Sequence, residues 1–577
     1  MSLAEATVTT RSNGVLDFIR RQNFSIFQIL SALIALTIVL LVAYPAILMI
    51  ARVFFPGGVP QTTAFREVMS SPWVLQTIMN TVFAVIGGGF FAIVTASVFA
   101  WLNERTDARL GIIGDIMPIV PLIVPTVAMA IGWIFLASPG AGFINAALRA
   151  TVGQMGWDIQ ISVTSWAGVI FVYALYFVPY VYLIVAAAFR NVDPALEEAS
   201  RLSGATMLTT LRKVSLPAIK PALIGASLLV VITGLSLYSI PVVIANRAGI
   251  DILSVRILRS LTFEYPARTD LAMVLSLFLM VAIATVWIIQ RRIMAAGNFA
   301  TIGGKSARHV TVELGAWKWP ARGLMLFYIA CTSVLPLLAL VVVSLQPFWR
   351  PEIDPSTFTL RHYQILIDRP MTRNAMQNSI GLGVVGGLVG IVIAAIMALY
   401  VLSAPKAIGR IVDGVTKFPA ALSHIVIGVG FLIAFAGAPF YLSGTLILLF
   451  IVYIVIYLPE ASIVAGASVS QVGRDLLEAS SISGATQGYT FRRVVLPLIL
   501  PGLISGWALL FVLMSSELTA SALLASVRTP VVGFVIIDIW EQGSFGNLAA
   551  LAFSFTVITS TIVLLAMRFS RRSFDRK

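Results

Sequence analysis

The chain has 577 residues, 59% of them hydrophobic and only 11% charged, with a mean hydropathy of +0.96. That balance excludes a soluble multidomain protein and reads as a polytopic membrane protein, in which a net charge of +14 belongs to membrane orientation rather than nucleic acid. The single cysteine, Cys331, excludes a disulfide framework and a cysteine-based metal site.

In chain order, a cytoplasmic N-terminal segment, 1–26, precedes a first apolar stretch at 27–54. That stretch is too long for a signal-peptide core and has no clear cleavage site, so it is expected to stay as a transmembrane helix. Further stretches long enough to span a bilayer fall near 77–102, 111–137, 166–189, 221–245 and 271–290. A basic linker, 291–322, follows. Six more stretches fall near 323–347, 378–403, 414–437, 444–467, 501–525 and 547–567, and a basic tail, 568–577, ends the chain. The pattern predicts an all-α integral membrane protein of about twelve spans, in two six-span repeats, 27–290 and 323–567.

Lysine and arginine set the orientation. With a cytoplasmic N-terminus, 27 of the 39 basic residues fall on cytoplasmic segments and 12 on external ones, and the C-terminus is cytoplasmic as well. The two repeats then face the same way, which implies a pseudo-twofold axis along the membrane normal and a pathway at their interface.

The repeat is plainest in a polar loop. Glu197–Leu223 returns as Leu477–Leu503, with fifteen of 27 positions identical and no gap. In the first copy Asp193 is placed to cap a helix that opens on Pro194. Leu196, Ala199 and Leu202 form an apolar stripe, matched by Leu476, Ala479 and Ile482. Gly204 and Gly484 suit a left-handed helix end, and a second short helix is expected to stop at Pro217 or Pro497. Both loops come out cytoplasmic. Outside them, Asn80 pairs with Asn378 and Pro121–Gly132 with Pro419–Gly430 at an offset of 298. Pro179 pairs with Pro459 at 280, which puts 18 extra residues in the external Ser138–Ser165 region.

These residues, Glu-Ala-Ser then Ser-Gly-Ala-Thr then Leu-Pro, resemble the "EAA" loop of the permease subunits of bacterial ABC importers. The resemblance covers essentially the whole chain and implies the type I importer permease fold, with two permease halves fused. It implies that Glu198, Ala199, Ser200 and Gly204, with Glu478, Ala479, Ser480 and Gly484, are ATPase-coupling residues in loops 191–216 and 471–496. The serines stand where the family pattern has alanine. It further implies two copies of a separate ATPase that handles ATP and Mg, a periplasmic or lipid-anchored binding protein, and a place in the bacterial inner membrane. Two halves in one chain resemble the permeases for ferric iron, thiamine and 2-aminoethylphosphonate, and the run Ser516–Ser526 most resembles the ferric-iron group.

No catalytic or metal-binding constellation stands out, so the chain is expected to be no enzyme and to bind no cofactor itself. Gly304-Lys305-Ser306 fails as a phosphate loop because Phe299 occupies the first glycine position. Glu517 lies in an apolar segment opposite Leu237; it either lines the pathway and meets a cationic substrate, or braces a helix end through a neighbouring hydroxyl. Tyr238 and Ser516 are further pathway candidates. His424 is expected to be buried with one hydrogen bond, His309 and His362 to be solvated, and Pro121, Pro125 and Pro419 to kink helices. Arg247, Arg256, Arg259 and Arg268 suit an acidic partner or a solvated rim. An ion-driven secondary transporter is the rival class, but the loop 103–110 lacks its glycine- and arginine-rich signature. A membrane enzyme is disfavoured by the scarcity of polar residues within the spans.

Overall fold

A computed structural model of the chain describes residues 26–111, 114, 121, 124–296, 312–472, 476, 479–480, 482–485 and 487–575. The described residues are helical throughout, apart from connections and two isolated bridges, Thr106 to Val312 and Ser526 to Thr529. Glu478, His309 and the 304–306 stretch lie outside the described residues.

Among the described residues, ten helices are long and apolar enough to cross a membrane. The two remaining predicted spans are the third of each half, and neither is one straight helix. In the second half Ala407–Ala421 and His424–Phe435 meet at 95°, with Pro419 in the short 3-10 turn Phe418–Ala421 at the bend. In the first half the apolar helix Thr126–Ala137 has 12 residues and starts immediately after Pro125. These two helices are counterparts at the offset of 298. So are the 34-residue second spans, Pro72–Arg105 and Pro370–Ser403. The fourth spans begin at Trp166 and Leu446, an offset of 280, and the 18 extra residues fall in 138–165, which carries its own helix, Phe143–Thr151.

Within each half, close packing relies on small residues rather than on exclusion of water, since lipid is as apolar as leucine. Ala84, Gly88, Ala92 and Ala96 recur every fourth residue on the second span and are all buried. A Cβ on Gly88 would lie 2.5 Å from that of Tyr173 on the fourth span. Gly386, at the equivalent place in the second half, meets Met514 instead.

The halves exchange their first spans. Pro336, in the first span of the second half, lies against Gly132, where an added Cβ would be 2.5 Å from the proline Cβ. Pro45, in the first span of the first half, lies against Gly430, at 3.0 Å by the same measure. Glycine is required at both crossings because the partner is a ring fixed to backbone.

Two expectations are corrected. The short helix after each polar loop does not stop at Pro217 or Pro497. It runs on through a π-helical turn, Leu211–Ser215 or Phe491–Val495, directly into Leu216–Ser236 or Leu496–Ser515. The wider turn holds the carbonyl four residues before each proline, so the missing N–H is absorbed without ending the helix. His362 is not a solvated loop residue: Nδ1 is 2.8 Å from Asn547 Oδ1 and Nε2 is 3.1 Å from the Gln346 carbonyl. Helix continues to Ala296 and is described again from Gly315, and the last helix runs as far as Asp575.

Candidate functional site

Two regions carry chemistry: the pair of polar loops and the pair of broken fifth spans. In the first loop Pro194–Leu202 is helical, and Asp193 Oδ1 accepts from the Ala195 amide at 2.9 Å. Gly204 and Gly484 have φ of +83° and +75°, the left-handed region that side chains avoid. Nothing lies within 4 Å of a Cβ built on either. The apolar stripe points outward: Leu202 is 89% exposed and Ile482 86%. Apolar side chains this open on a short helix form a surface left uncovered by the described residues. Glu198 and Ala199 are exposed beside them.

The serines that depart from the family pattern have a structural role. Ser200 Oγ lies 3.0 Å from Thr210 Oγ1, and Ser480 Oγ lies 2.7 Å from Thr490 Oγ1. Each hydroxyl pair ties the first helix of its loop to the second, at the same offset of 280. Serine and threonine were written together at these positions in both copies, a signal that reading the loop one residue at a time passes over.

Each fifth span breaks at its end away from the polar loop. Leu216–Ser236 ends ahead of Leu237–Tyr238, and Leu496–Ser515 ends ahead of Ser516–Leu518, before the short helix Thr519–Leu524. Symmetric anchors hold the chain beyond each break. Asn80 Nδ2 donates to the Asp251 carbonyl at 3.2 Å and Thr81 Oγ1 accepts from Leu253 N at 2.9 Å. Asn378 Nδ2 donates to Pro530 at 2.8 Å and Ser379 Oγ accepts from Val532 N at 2.8 Å.

Only the second break is charged. Glu517 is 5% exposed. Its Oε1 accepts from the Ala520 amide at 2.9 Å, and its Oε2 accepts from the Tyr457 hydroxyl and lies 3.3 Å from His424 Nδ1. The 95° bend delivers His424 to this point, and its ring meets Tyr457 edge-on at 5.4 Å. Glu517 therefore does brace a helix end through a hydroxyl, and it also holds an imidazole that is partly open. The Ser516 hydroxyl donates to the Val512 carbonyl and closes the helix end. Tyr238 is 1% exposed, with no hydrogen-bond partner for its hydroxyl among the described residues. It lines a cavity of about 100 Å³ with Asn246, Arg259 and Glu541, apart from the Glu517 cluster.

One residue of this cluster was missed in the sequence. Glu460 follows Pro459 within the fourth span of the second half, and its Oε2 is buried with no partner among the described residues. An acidic residue in an apolar span was as visible there as at Glu517. Of the external arginines, Arg247 lies over the Trp540 ring at 4.4 Å, while Arg256 lies over Trp73 at 4.5 Å and pairs with Glu264 at 3.7 Å.

The family profile for the binding-protein-dependent transport system inner membrane component matches residues 88–296 and again 386–577. The chain belongs to this family. It carries the domain twice, and it is a multi-pass permease subunit of the ABC importer class. A putative ferric transport system permease of Haemophilus influenzae is 24% identical over 535 residues, covering 91% of this chain and 82% of the relative. A ferric transport system permease of Actinobacillus pleuropneumoniae is 24% identical over 562 residues, covering 95% and 79%. A putative 2-aminoethylphosphonate permease of Salmonella paratyphi A is 25% identical over 238 residues, 41% of this chain and 89% of that one.

Proposed function

We propose that this importer permease moves ferric iron inward across the bacterial inner membrane, with both termini cytoplasmic. Two copies of a separate ATPase dock on loops 191–216 and 471–496, and a periplasmic or lipid-anchored protein delivers the ion at the outer face. The observation that carries the iron reading is end-to-end similarity to ferric permeases over 91% and 95% of the chain. The chemistry at the second break is compatible with it: a carboxylate, a phenol and an imidazole are hard or borderline donors that suit a small, highly charged cation.

In mechanism, closure of two ATPases on ATP draws the docking loops together. Each loop continues without interruption into its fifth span through the π turn, so the movement reaches the breaks at Leu237 and Ser516 as a lever motion. Glu517 and His424 then meet a cation that passes the seam, and Glu198 and Glu478 offer charge to the ATPase surface.

The test is radiolabelled iron uptake by cells carrying the chain with the ATPase that copurifies with it, with and without vanadate. Vanadate-sensitive uptake of iron, unaffected by excess thiamine or 2-aminoethylphosphonate, is the expected result. Uptake driven by an ion gradient without ATPase would overturn the importer mechanism, and competition by either organic solute would replace iron as the substrate.

A further inference from the structure

The first docking loop is held by a buried ion pair. Within it Glu197, not Glu198, turns inward and is buried. Its Oε1 accepts from Ser215 Oγ at 2.7 Å and lies 3.6 Å from Arg105 Nε. Arg105 is the last residue of the second span and is 3% exposed. Its Nη2 donates to the carbonyls of Phe189 and Val192, each at 2.7 Å. One guanidinium thus grips the end of the fourth span, the entry to the docking helix and the carboxylate within that helix. The fork of arginine holds two carbonyls through Nη2 while its charge faces Glu197 at Nε, where the contact is ionic and not a hydrogen bond.

The grip extends to the second half of the chain. Val312 N donates to the Arg105 carbonyl at 2.8 Å, and Asp107 N donates to the Val312 carbonyl at 3.1 Å. Asp107 Oδ1 accepts from Leu314 N at 2.9 Å, and Arg322 Nη2 donates to the Asp107 carbonyl at 3.0 Å. Leu314 and Arg322 stand at the start of the second half's first span. In the second repeat the counterparts of Glu197 and Arg105 are Leu477 and Ser403, so its sequence cannot form the ion pair.

We infer that Arg105 is a positioning residue that clamps the first docking helix to the second span and to the start of the second half. The two ATPase docking sites therefore differ in sequence at this contact. The clamp itself does not depend on the substrate; its consequence for transport rests on the importer reading above. Removing one partner of a buried ion pair leaves the other charge stranded, so the pair fixes the two elements to each other. Movement of the first docking helix must then carry the second span and the second half with it.

The test uses hydrogen–deuterium exchange on the purified full chain. In Arg105→Ala the amides of 195–202 should exchange at least tenfold faster than in wild type, with Thr269–Ala296 unchanged. Arg105→Lys should fall between the two, and Glu197→Leu, which installs the second repeat's own residue, should accelerate exchange severalfold. Unchanged exchange at 195–202 in Arg105→Ala overturns the clamp. If that variant does not assemble, unchanged exchange in Glu197→Leu does so. In complexes with the copurifying ATPase, Glu197→Leu should lower solute moved per ATP hydrolysed at least threefold while ATPase binding is kept. An unaltered ratio removes the positioning role, whereas a wild-type chain that binds no ATPase defeats the importer reading and leaves the exchange result standing.

Discussion

Glu517 has three partners around one helix break: the Ala520 amide, the Tyr457 hydroxyl and His424. A carboxylate so placed is stabilised in the apolar interior, where an unpaired charge costs about 2.5–3.5 kcal/mol on insertion scales. Replacing Glu517 by Gln keeps the hydrogen-bond shape and removes the charge. The expected outcome is normal assembly with iron uptake reduced at least tenfold; unchanged uptake would leave Glu517 a brace and nothing more. Glu460, with a buried oxygen that has no partner among the described residues, should behave differently. Glu460→Gln lowers the cost of burial, so thermal stability should be equal or higher while uptake falls, read by a melting curve beside the uptake assay. Residues of this kind were half legible in the sequence. An acidic side chain in an apolar run is visible, but its partners sit on segments about 60 and 90 residues away, and only folding brings them together.

Each docking loop is a two-helix unit closed by a left-handed glycine and a hydroxyl pair. Gly204→Ala forces a side chain into φ +83° with open space around it. The penalty is therefore about 1–2 kcal/mol of backbone strain without a clash. The prediction is a normally inserted protein that retains less ATPase in a pull-down, and the same for Gly484→Ala. The glycine turns and the Asp193 cap were readable because they depend on neighbours in sequence. The π turns were not. Proline four residues past a carbonyl ordinarily ends a helix. Here the fifth span, packed within its half, keeps the axis continuous, and the ladder widens instead.

The halves are joined by exchange of their first spans, and two glycine–proline crossings mark where each enters the other half. Gly132 is the tighter, at 2.5 Å against 3.0 Å for Gly430. Overpacking of this kind costs about 1–3 kcal/mol. Gly132→Val should lower the melting temperature of the purified chain more than Gly430→Val. Equal effects would mean that the crossings do not carry the packing of the two halves.

The sequence by itself determined what depends on local pattern and on repetition: membrane class, two parallel repeats, the offsets of 298 and 280, and the paired docking loops with their caps and turns. These follow from hydropathy, which is additive along the chain, and from duplication, which leaves its record in residue identity. Tertiary structure alone decided that the fifth spans break at Leu237 and Ser516, that the first spans change halves, and that His424 meets Glu517. It also decided that Glu197 turns inward to Arg105 while Glu198 faces out. Adjacent residues of one kind differ only in the direction a helix points them, and that direction is set by what packs against the helix from distant parts of the chain.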